Sequence, residues 1–340
     1  MKAMVLKQLC NLNENKTPLE LTELPVPVPR KQEILLKVSA CGVCHTELDE
    51  IEGRTPPRLP IIPGHQAVGR VEAVGSEVST IKIGDRVGVA WIFSACGQCK
   101  FCLAGNENLC PKFTATGRDA NGGYAQYMTV AEDFVYLIPE LFSDVQAAPL
   151  LCAGAIGYRS LRLTGLKDGQ LLGLTGFGAS AHLVLKMARH QYPNSGIYVF
   201  ARNAQEREFA EHLGAVWTGD TIERSPHKLD CIIDTTPSWE PVIEALSNLE
   251  SGGRLVINAI RKEGSKRSLL NLYYPDHLWL EKEIKSVANI TRNDVKDFLI
   301  MAAQMNLIPE VQEFTLEQAN EALLELKTEK IRGAKVLKID

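Results

Sequence analysis

The sequence predicts an α/β fold in two parts. Residues 1–150 read as β-rich, and from about 151 to 289 strands alternate with helices in the manner of a parallel sheet. Three observations predict this. Short β-branched runs separated by turn residues fill the first part. Apolar strand-like and helical segments alternate in the second. A glycine-rich turn, Gly176-Phe-Gly-Ala-Ser-Ala, stands between one such strand and the helix after it. A chain of 340 residues has room for about two domains with substantial cores.

Taken in order, the clearest early strands are Ile34-Leu-Leu-Lys-Val, Val68-Gly-Arg-Val-Glu-Ala-Val and Arg86-Val-Gly-Val-Ala. Pro25-Val-Pro-Val-Pro is a stiff extended connector, because proline fixes φ and cannot continue a helix. In the second part a strand over Leu171–Thr175 runs through the glycine turn into a helix over Ala181–Arg189. There follow a strand at Ile197–Phe200, a helix at Ala204–Leu213, a strand at Cys231–Asp234, a helix at Glu240–Leu249 and a strand at Leu255–Asn258. After about 290, Val295–Gln304 and Glu317–Leu326 have amphipathic helical spacing, and Ala334–Ile339 reads as a closing strand. There are no internal repeats or low-complexity tracts.

The turn fits the G-x-G-x-x-A fingerprint of a dinucleotide-binding, Rossmann-type unit. Gly176 permits the tight turn, Gly178 lets a pyrophosphate approach the backbone, and the last small residue lets helix pack on strand. Phe177, Gly178 and Ala179 then lead into a helix N-terminus whose free N–H groups favour phosphate.

Composition narrows the classes. At 45% hydrophobic and 23% charged the chain is an ordinary globular protein. Its formal net charge of -4 gives no basic footprint for nucleic acid. No apolar run approaches the roughly 20 residues of a membrane span. The opening MKAMVLKQLC shows no apolar leader, and with nine cysteines this predicts metal ligands in a reducing, cytoplasmic setting rather than a disulfide framework.

Four of those cysteines, Cys96, Cys99, Cys102 and Cys110, are spaced C-x2-C-x2-C-x7-C. Thiolates so close in sequence can surround one tetrahedral zinc, and a closed four-sulfur site is structural. A sparser set of possible ligands is Cys44, His65 and Cys152, two thiolates and an imidazole that would leave a fourth zinc position open. Cys10, Cys41 and Cys231 read as buried small side chains. Cys41 and Cys44 also form a C-x-x-C, so a redox pair is an alternative, though it accounts for neither His65 nor Cys152.

The flanks of the sparse set carry more. Cys41-Gly-Val-Cys-His-Thr-Glu-Leu, Pro63-Gly-His-Gln-Ala-Val-Gly and Ala148-Pro-Leu-Leu-Cys-Ala-Gly closely resemble the zinc-dependent medium-chain alcohol dehydrogenases, with the cysteine-rich lobe between them in the family's order. The resemblance covers essentially the whole chain. It implies a GroES-like catalytic domain over 1–150 with its zinc lobe at about 94–112, a Rossmann NAD(P)-binding domain over 151–289, and a return over 290–340 that completes the catalytic domain. It further implies two zinc ions per chain, one held by Cys44, His65 and Cys152 and one by the four clustered cysteines. The implied reaction passes a hydride between a nicotinamide cofactor and a primary alcohol or its aldehyde, in a homodimer or homotetramer.

Individual roles come with the resemblance. Thr46 falls where its hydroxyl can relay a proton from the reacting oxygen, although Thr46-x-x-Asp49 also resembles a helix capping box. His45 occupies the place of a basic residue facing the cofactor pyrophosphate. Trp91 falls at a position that walls the substrate pocket, with an ordinary core tryptophan as the alternative. Four positions depart from the family. Gln66 replaces a glutamate, Glu47 stands for an aspartate that orients the ligand histidine, Asp49 replaces a relay histidine, and Ile156 replaces a threonine. Asp49 could accept a proton, with a much lower intrinsic pKa. Aligning Leu213-Gly-Ala with the family's turn puts Ala201 at the site of the acidic ribose ligand, followed by Arg202. Loss of the anion and gain of a guanidinium favour NADP(H) over NAD(H), unless Arg202 is only a solvated side chain. Two other functions are a polyol dehydrogenase, against which the intact lobe and Cys152 argue, and a non-catalytic zinc- and nucleotide-binding redox sensor, which Gln66, Asp49 and Ile156 would support.

Overall fold

The computed structural model describes residues 1–264, 266–328 and 333–340. The chain forms two compact units, Met1–Cys152 together with Ile290–Asp340, and Ala153–Asn289.

The first unit is built on the long strand Glu33–Val43, whose Ile34, Leu36, Val38 and Cys41 are buried. It pairs antiparallel with Ala67–Val74, Tyr127–Ala131 and Ala334–Lys338. The C-terminal return therefore closes the same sheet that the N-terminal strands open. Arg86–Val89 and Val135–Leu137 extend one side, and Val311–Thr315 lies parallel to Ala334–Lys338 on the other. That last strand has no readable alternation in sequence, since Phe314 is its one buried residue. Ile92–Ser94 and Thr114–Ala115 pair across the base of the cysteine-rich segment. Ile34, Leu36, Ile51, Ile92 and Tyr124 lie in the core. Each buried aliphatic side chain of this kind stabilises the fold by about 1.5–3 kcal/mol relative to exposure. The helix expected from Val295 begins at Arg292 and runs to Gln304, because Thr291 and Asp294 close a capping box. Asp294 N–H donates to Thr291 Oγ1 at 3.2 Å, and Thr291 N–H to Asp294 Oδ2 at 2.8 Å.

The second unit is a six-stranded parallel sheet. In chain order its strands are Leu172–Thr175, Ile197–Phe200, Trp217–Gly219, Leu229–Asp234, Leu249–Ile257 and Glu283–Ser286. Their spatial order is third, second, first, fourth, fifth, sixth, the doubly wound arrangement that reverses between the first and fourth strands. The first two are buried at every residue, as strands covered on both faces are. The third and sixth escape sequence reading because they are short, and the sixth, Glu-Ile-Lys-Ser, is exposed throughout. The helices Ala179–Gln191, Ala204–His212 and Glu240–Asn248 fall close to the expected ranges. Among the described residues, no helix is long and apolar enough to cross a membrane.

Candidate functional site

Cys44, His65 and Cys152 come from three separate stretches of the first unit, and their ligand atoms lie within 4.8 Å of one another. Cys44 follows the strand Glu33–Val43 and is the N-cap of the helix His45–Ile51. His65 follows Gly64, whose φ of +97° and close neighbours require glycine, since a Cβ there would sit 2.4 Å from the Tyr124 ring. Cys152 follows the buried turn Ala148–Leu151. Cys44 Sγ is 3.9 Å from Cys152 Sγ, and His65 Nε2 is 3.3 Å from Cys152 Sγ.

Glu47 fixes this geometry. One oxygen accepts the Cys44 N–H at 2.9 Å, completing the capping box, and the other lies 2.6 Å from His65 Nδ1. Nδ1 is thereby committed, and Nε2 is the nitrogen that faces the two sulfurs. The box thus closes between Cys44 and Glu47, not between Thr46 and Asp49 as the sequence alone allowed. Thr46 lies one turn position inside the helix, buried, with Oγ1 3.6 Å from Cys44 Sγ.

The protonation pattern fits a metal. Contact with Cys152, with help from His65, holds the Cys44 thiol well below the ordinary cysteine range. The same contact and burial hold the Cys152 thiol above it. Burial works to lower His65, but Glu47 and Cys44 together raise it well above the usual histidine range. A cation in the centre would displace whatever protons these three ligands hold, releasing them as it binds. Two sulfurs and one nitrogen match the donor set of an open zinc site.

In the lobe, the Sγ atoms of Cys96, Cys99, Cys102 and Cys110 also lie within 4.8 Å of one another. Cys102 Sγ is 3.9 Å from Cys96 Sγ and 3.6 Å from Cys99 Sγ. The backbone N–H groups of Gln98 and Cys99 hold the Cys96 thiol down to about 6, while burial pushes Cys102 up to about 12. All nine cysteines are free, an arrangement that suits a set of four metal ligands better than a disulfide knot. Glu107, buried within the lobe, accepts from Arg292 N at 2.6 Å and Arg292 Nε at 3.1 Å, tying the lobe to the returning C-terminal helix. Cys41 is fully buried, and burial followed by Glu47 pushes its thiol far up, which is the opposite of what a redox-active pair with Cys44 needs.

Other expected residues divide. Asp49 is buried and its carboxylate accepts from Arg54 Nε at 2.7 Å, so the geometry favours an ion-pair role for it over a proton relay. Gln66 is buried against Gly42, where a Cβ would meet Gln66 Oε1 at 2.6 Å. His45 is exposed at the first position of its helix. Trp91 is half-buried, its ring 5.2 Å from that of Phe113, with the Arg118 guanidinium 5.2 Å from its own ring. Sequence reading missed Glu50, one helical turn beyond Glu47. It is buried, its Oε1 has no hydrogen-bond partner among the described residues, and burial followed by Glu47 pushes its carboxyl up to about 9. The i, i+3 spacing of two glutamates on one short helix was the available signal.

In the second unit, Gly176 has φ +80° and is packed so closely that a Cβ would meet Thr235 Oγ1 at 2.8 Å. Phe177 is buried edge-on against Phe209. Gly178 is the N-cap of Ala179–Gln191 with open space before it. Ala179 is the first helical residue, and its side chain lies outside what the structure describes. Ala201 is buried just past the second strand, and Arg202 beside it is exposed. Arg207, also missed in sequence, donates from Nη1 to the carbonyls of Ala201 at 2.6 Å and Arg202 at 3.0 Å.

Comparison with known proteins agrees with this construction. Residues 30–140 match the family described as alcohol dehydrogenase GroES-like domain. The chain is 44% identical over 328 residues to the Mycobacterium tuberculosis protein named "Probable alcohol dehydrogenase AdhA", covering 95% of this chain and 93% of that one. It is 34% identical over 340 residues to an alcohol dehydrogenase of Geobacillus stearothermophilus, covering 96% and 98%. In fold it matches the crystal structure of CAD from Helicobacter pylori complexed with NADP(H), with TM-score 0.84 and 22% identity over 99% of this chain and 97% of that one.

Proposed function

The chain belongs to the zinc-dependent medium-chain alcohol dehydrogenase family, and from that premise we propose that it interconverts primary alcohols and aldehydes using NADP(H), with two zinc ions per chain. The observation that carries the reading is the three-donor set Cys44, His65 and Cys152, with Glu47 committed to the far side of the imidazole.

Zinc held by those three residues would act as a Lewis acid on the substrate oxygen, while the nicotinamide supplies the hydride chemistry. The chain's own groups do the rest. Glu47 orients His65 and keeps its Nε2 directed at the site. The Thr46 hydroxyl, beside Cys44 Sγ, is the group that would move the proton. Cys96, Cys99, Cys102 and Cys110 would hold the second zinc as a closed site that stabilises the lobe without entering the reaction. Gly176 and Gly178 would let the pyrophosphate approach the backbone at the start of Ala179–Gln191. Ala201 offers no carboxylate to a ribose 2′-oxygen, and Arg202 offers a guanidinium to a 2′-phosphate.

The test is direct. Zinc-replete protein mixed with NADPH and a panel of aldehydes should lose absorbance at the nicotinamide band, and chelator treatment should stop the loss. No turnover with any aldehyde or alcohol, using either nicotinamide, would sink the reading.

A further inference from the structure

The second unit holds a buried ion pair that the reading above leaves unused. Lys262, on the segment after the fifth strand, Leu249–Ile257, reaches back to Asp234, the last residue of Leu229–Asp234. Their side chains are 8% and 0% exposed. Besides Asp234 Oδ2, the ammonium donates to the Thr236 carbonyl at 2.7 Å and the Ser238 carbonyl at 3.2 Å. Three donors are thus matched to three acceptors, and none is left for a ligand. Thr236 Oγ1 donates to Asp234 Oδ1 at 2.6 Å, and Ser238 and Glu263 form a β-bridge between the same two segments.

Residues 234–238 are therefore clamped, and their place matters. They leave the sheet at the carboxyl end of the strand next to Leu172–Thr175, where the strand order reverses and where ligands of such sheets bind. Thr235 N–H donates to Thr175 O at 2.9 Å. A Cβ at Gly176 would meet not only Thr235 Oγ1 but also Thr236 Cγ2, at 3.0 Å. The clamped segment is the wall behind the first glycine of the dinucleotide turn. A buried Lys–Asp pair is a poor device for stability, since apolar side chains of similar volume do as well or better. Its value lies in the three directions it fixes at once.

We infer that Lys262 is a positioning residue for the nicotinamide dinucleotide, holding residues 234–238 in place behind Gly176 without touching the cofactor itself. The inference rests on the reading of this unit as the NADP(H) site.

The experiment uses the zinc-replete full chain and measures NADPH affinity by fluorescence titration, aldehyde KM, and thermal stability. Lys262→Met should weaken NADPH binding by about tenfold or more, the size of effect expected of a residue acting at one remove, with aldehyde KM little changed. It should also lower Tm, because Asp234 is left buried and unpaired. Pairing it with Asp234→Asn removes that charge and should recover Tm without recovering NADPH affinity. A double variant that binds NADPH like the wild type overturns the inference, as does an affinity loss that merely tracks Tm. Hydrogen exchange on the wild type needs no variant: NADPH should slow exchange at 234–238 and 260–263, and an unchanged pattern there overturns the inference too. A wild type that binds neither NADPH nor NADH sinks the cofactor reading, and this inference with it.

Discussion

Glu47 Oε1 lies 2.6 Å from His65 Nδ1 in a fully buried contact, and the same carboxylate accepts the N–H of Cys44. One side chain thus sets the direction of two of the proposed metal ligands. Glu47→Gln keeps the shape but removes the charge that holds the imidazole, and partners of this kind typically contribute 10–100-fold in metal affinity. We expect zinc at the Cys44 site to be lost at correspondingly lower chelator concentration, with the lobe zinc retained. Equal retention of both metals would show that Glu47 only caps its helix.

The two cysteine sets should separate cleanly on substitution. Cys44→Ser should remove one zinc equivalent and nearly all turnover from a folded protein. Cys99→Ser should remove the other and lower thermal stability, with residual activity following the folded fraction. Elemental analysis beside a melting curve decides it. A Cys99→Ser chain that keeps its Tm but loses catalysis would contradict a purely structural lobe.

Much of this site was legible in sequence because its ligands sit in local motifs. C-x2-C-x2-C-x7-C needs no tertiary information, and Cys44, His65 and Cys152 sit in flanking segments that resemble the family. The doubly wound sheet was legible for the same reason, as Leu172–Thr175 and Ile197–Phe200 are unbroken apolar runs. What was hidden depends on burial and on which side chains the fold brings together, whether near or far in sequence. Nothing near Asp49 tells that Arg54 will take its carboxylate, and Glu50 becomes unusual only once burial strips its water. Lys262 and Asp234 are 28 residues apart, and the edge strand Glu283–Ser286 has no apolar pattern because the described structure leaves it exposed.

Thr46 has its hydroxyl 3.6 Å from Cys44 Sγ and lies out of the N-cap position, and the proposed reading has it move the proton. Proton-transfer assistance is typically worth about 10²–10⁴-fold. Thr46→Ala should lower kcat for alcohol oxidation on that scale with NADPH affinity unchanged, and Thr46→Ser should restore most of it. A loss under tenfold in Thr46→Ala removes the hydroxyl from the proton path.

Glu50 gives the fold a pH dependence of definite sign. Its carboxyl is pushed from 4.5 up to about 9 by burial and by Glu47. Between those values the folded chain holds a proton that the unfolded chain has released, so the group's contribution to stability falls as pH rises through the window. Glu50→Gln cannot ionise. In chelator-treated protein it should flatten the decline of Tm from pH 5 to 8.5 and raise Tm at the alkaline end, each ~1 kcal/mol appearing as about 2–4 °C in a domain of this size. An unchanged slope would show that Glu50 is ionised in the fold.

In the proposed reading, cofactor choice rests on two neighbouring residues and the one that holds them. Ala201 is buried and uncharged at the end of the second strand, Arg202 is exposed, and Arg207 pins both of their carbonyls. With the Ala201–Arg202 turn fixed from behind, the Arg202 guanidinium stays available to a 2′-phosphate, where its planar fork suits two phosphate oxygens. NADPH should therefore show the higher kcat/KM. Ala201→Asp combined with Arg202→Ala supplies a ribose acceptor and removes the phosphate partner, so preference should move toward NADH by about 1.5–3 kcal/mol, roughly 10–150-fold. Arg207→Ala should blunt discrimination less than the double change, because it loosens the turn without altering its charge at the phosphate. A wild-type enzyme that prefers NADH tenfold would mean that Arg202 does not face the ribose, and both expectations would fall together.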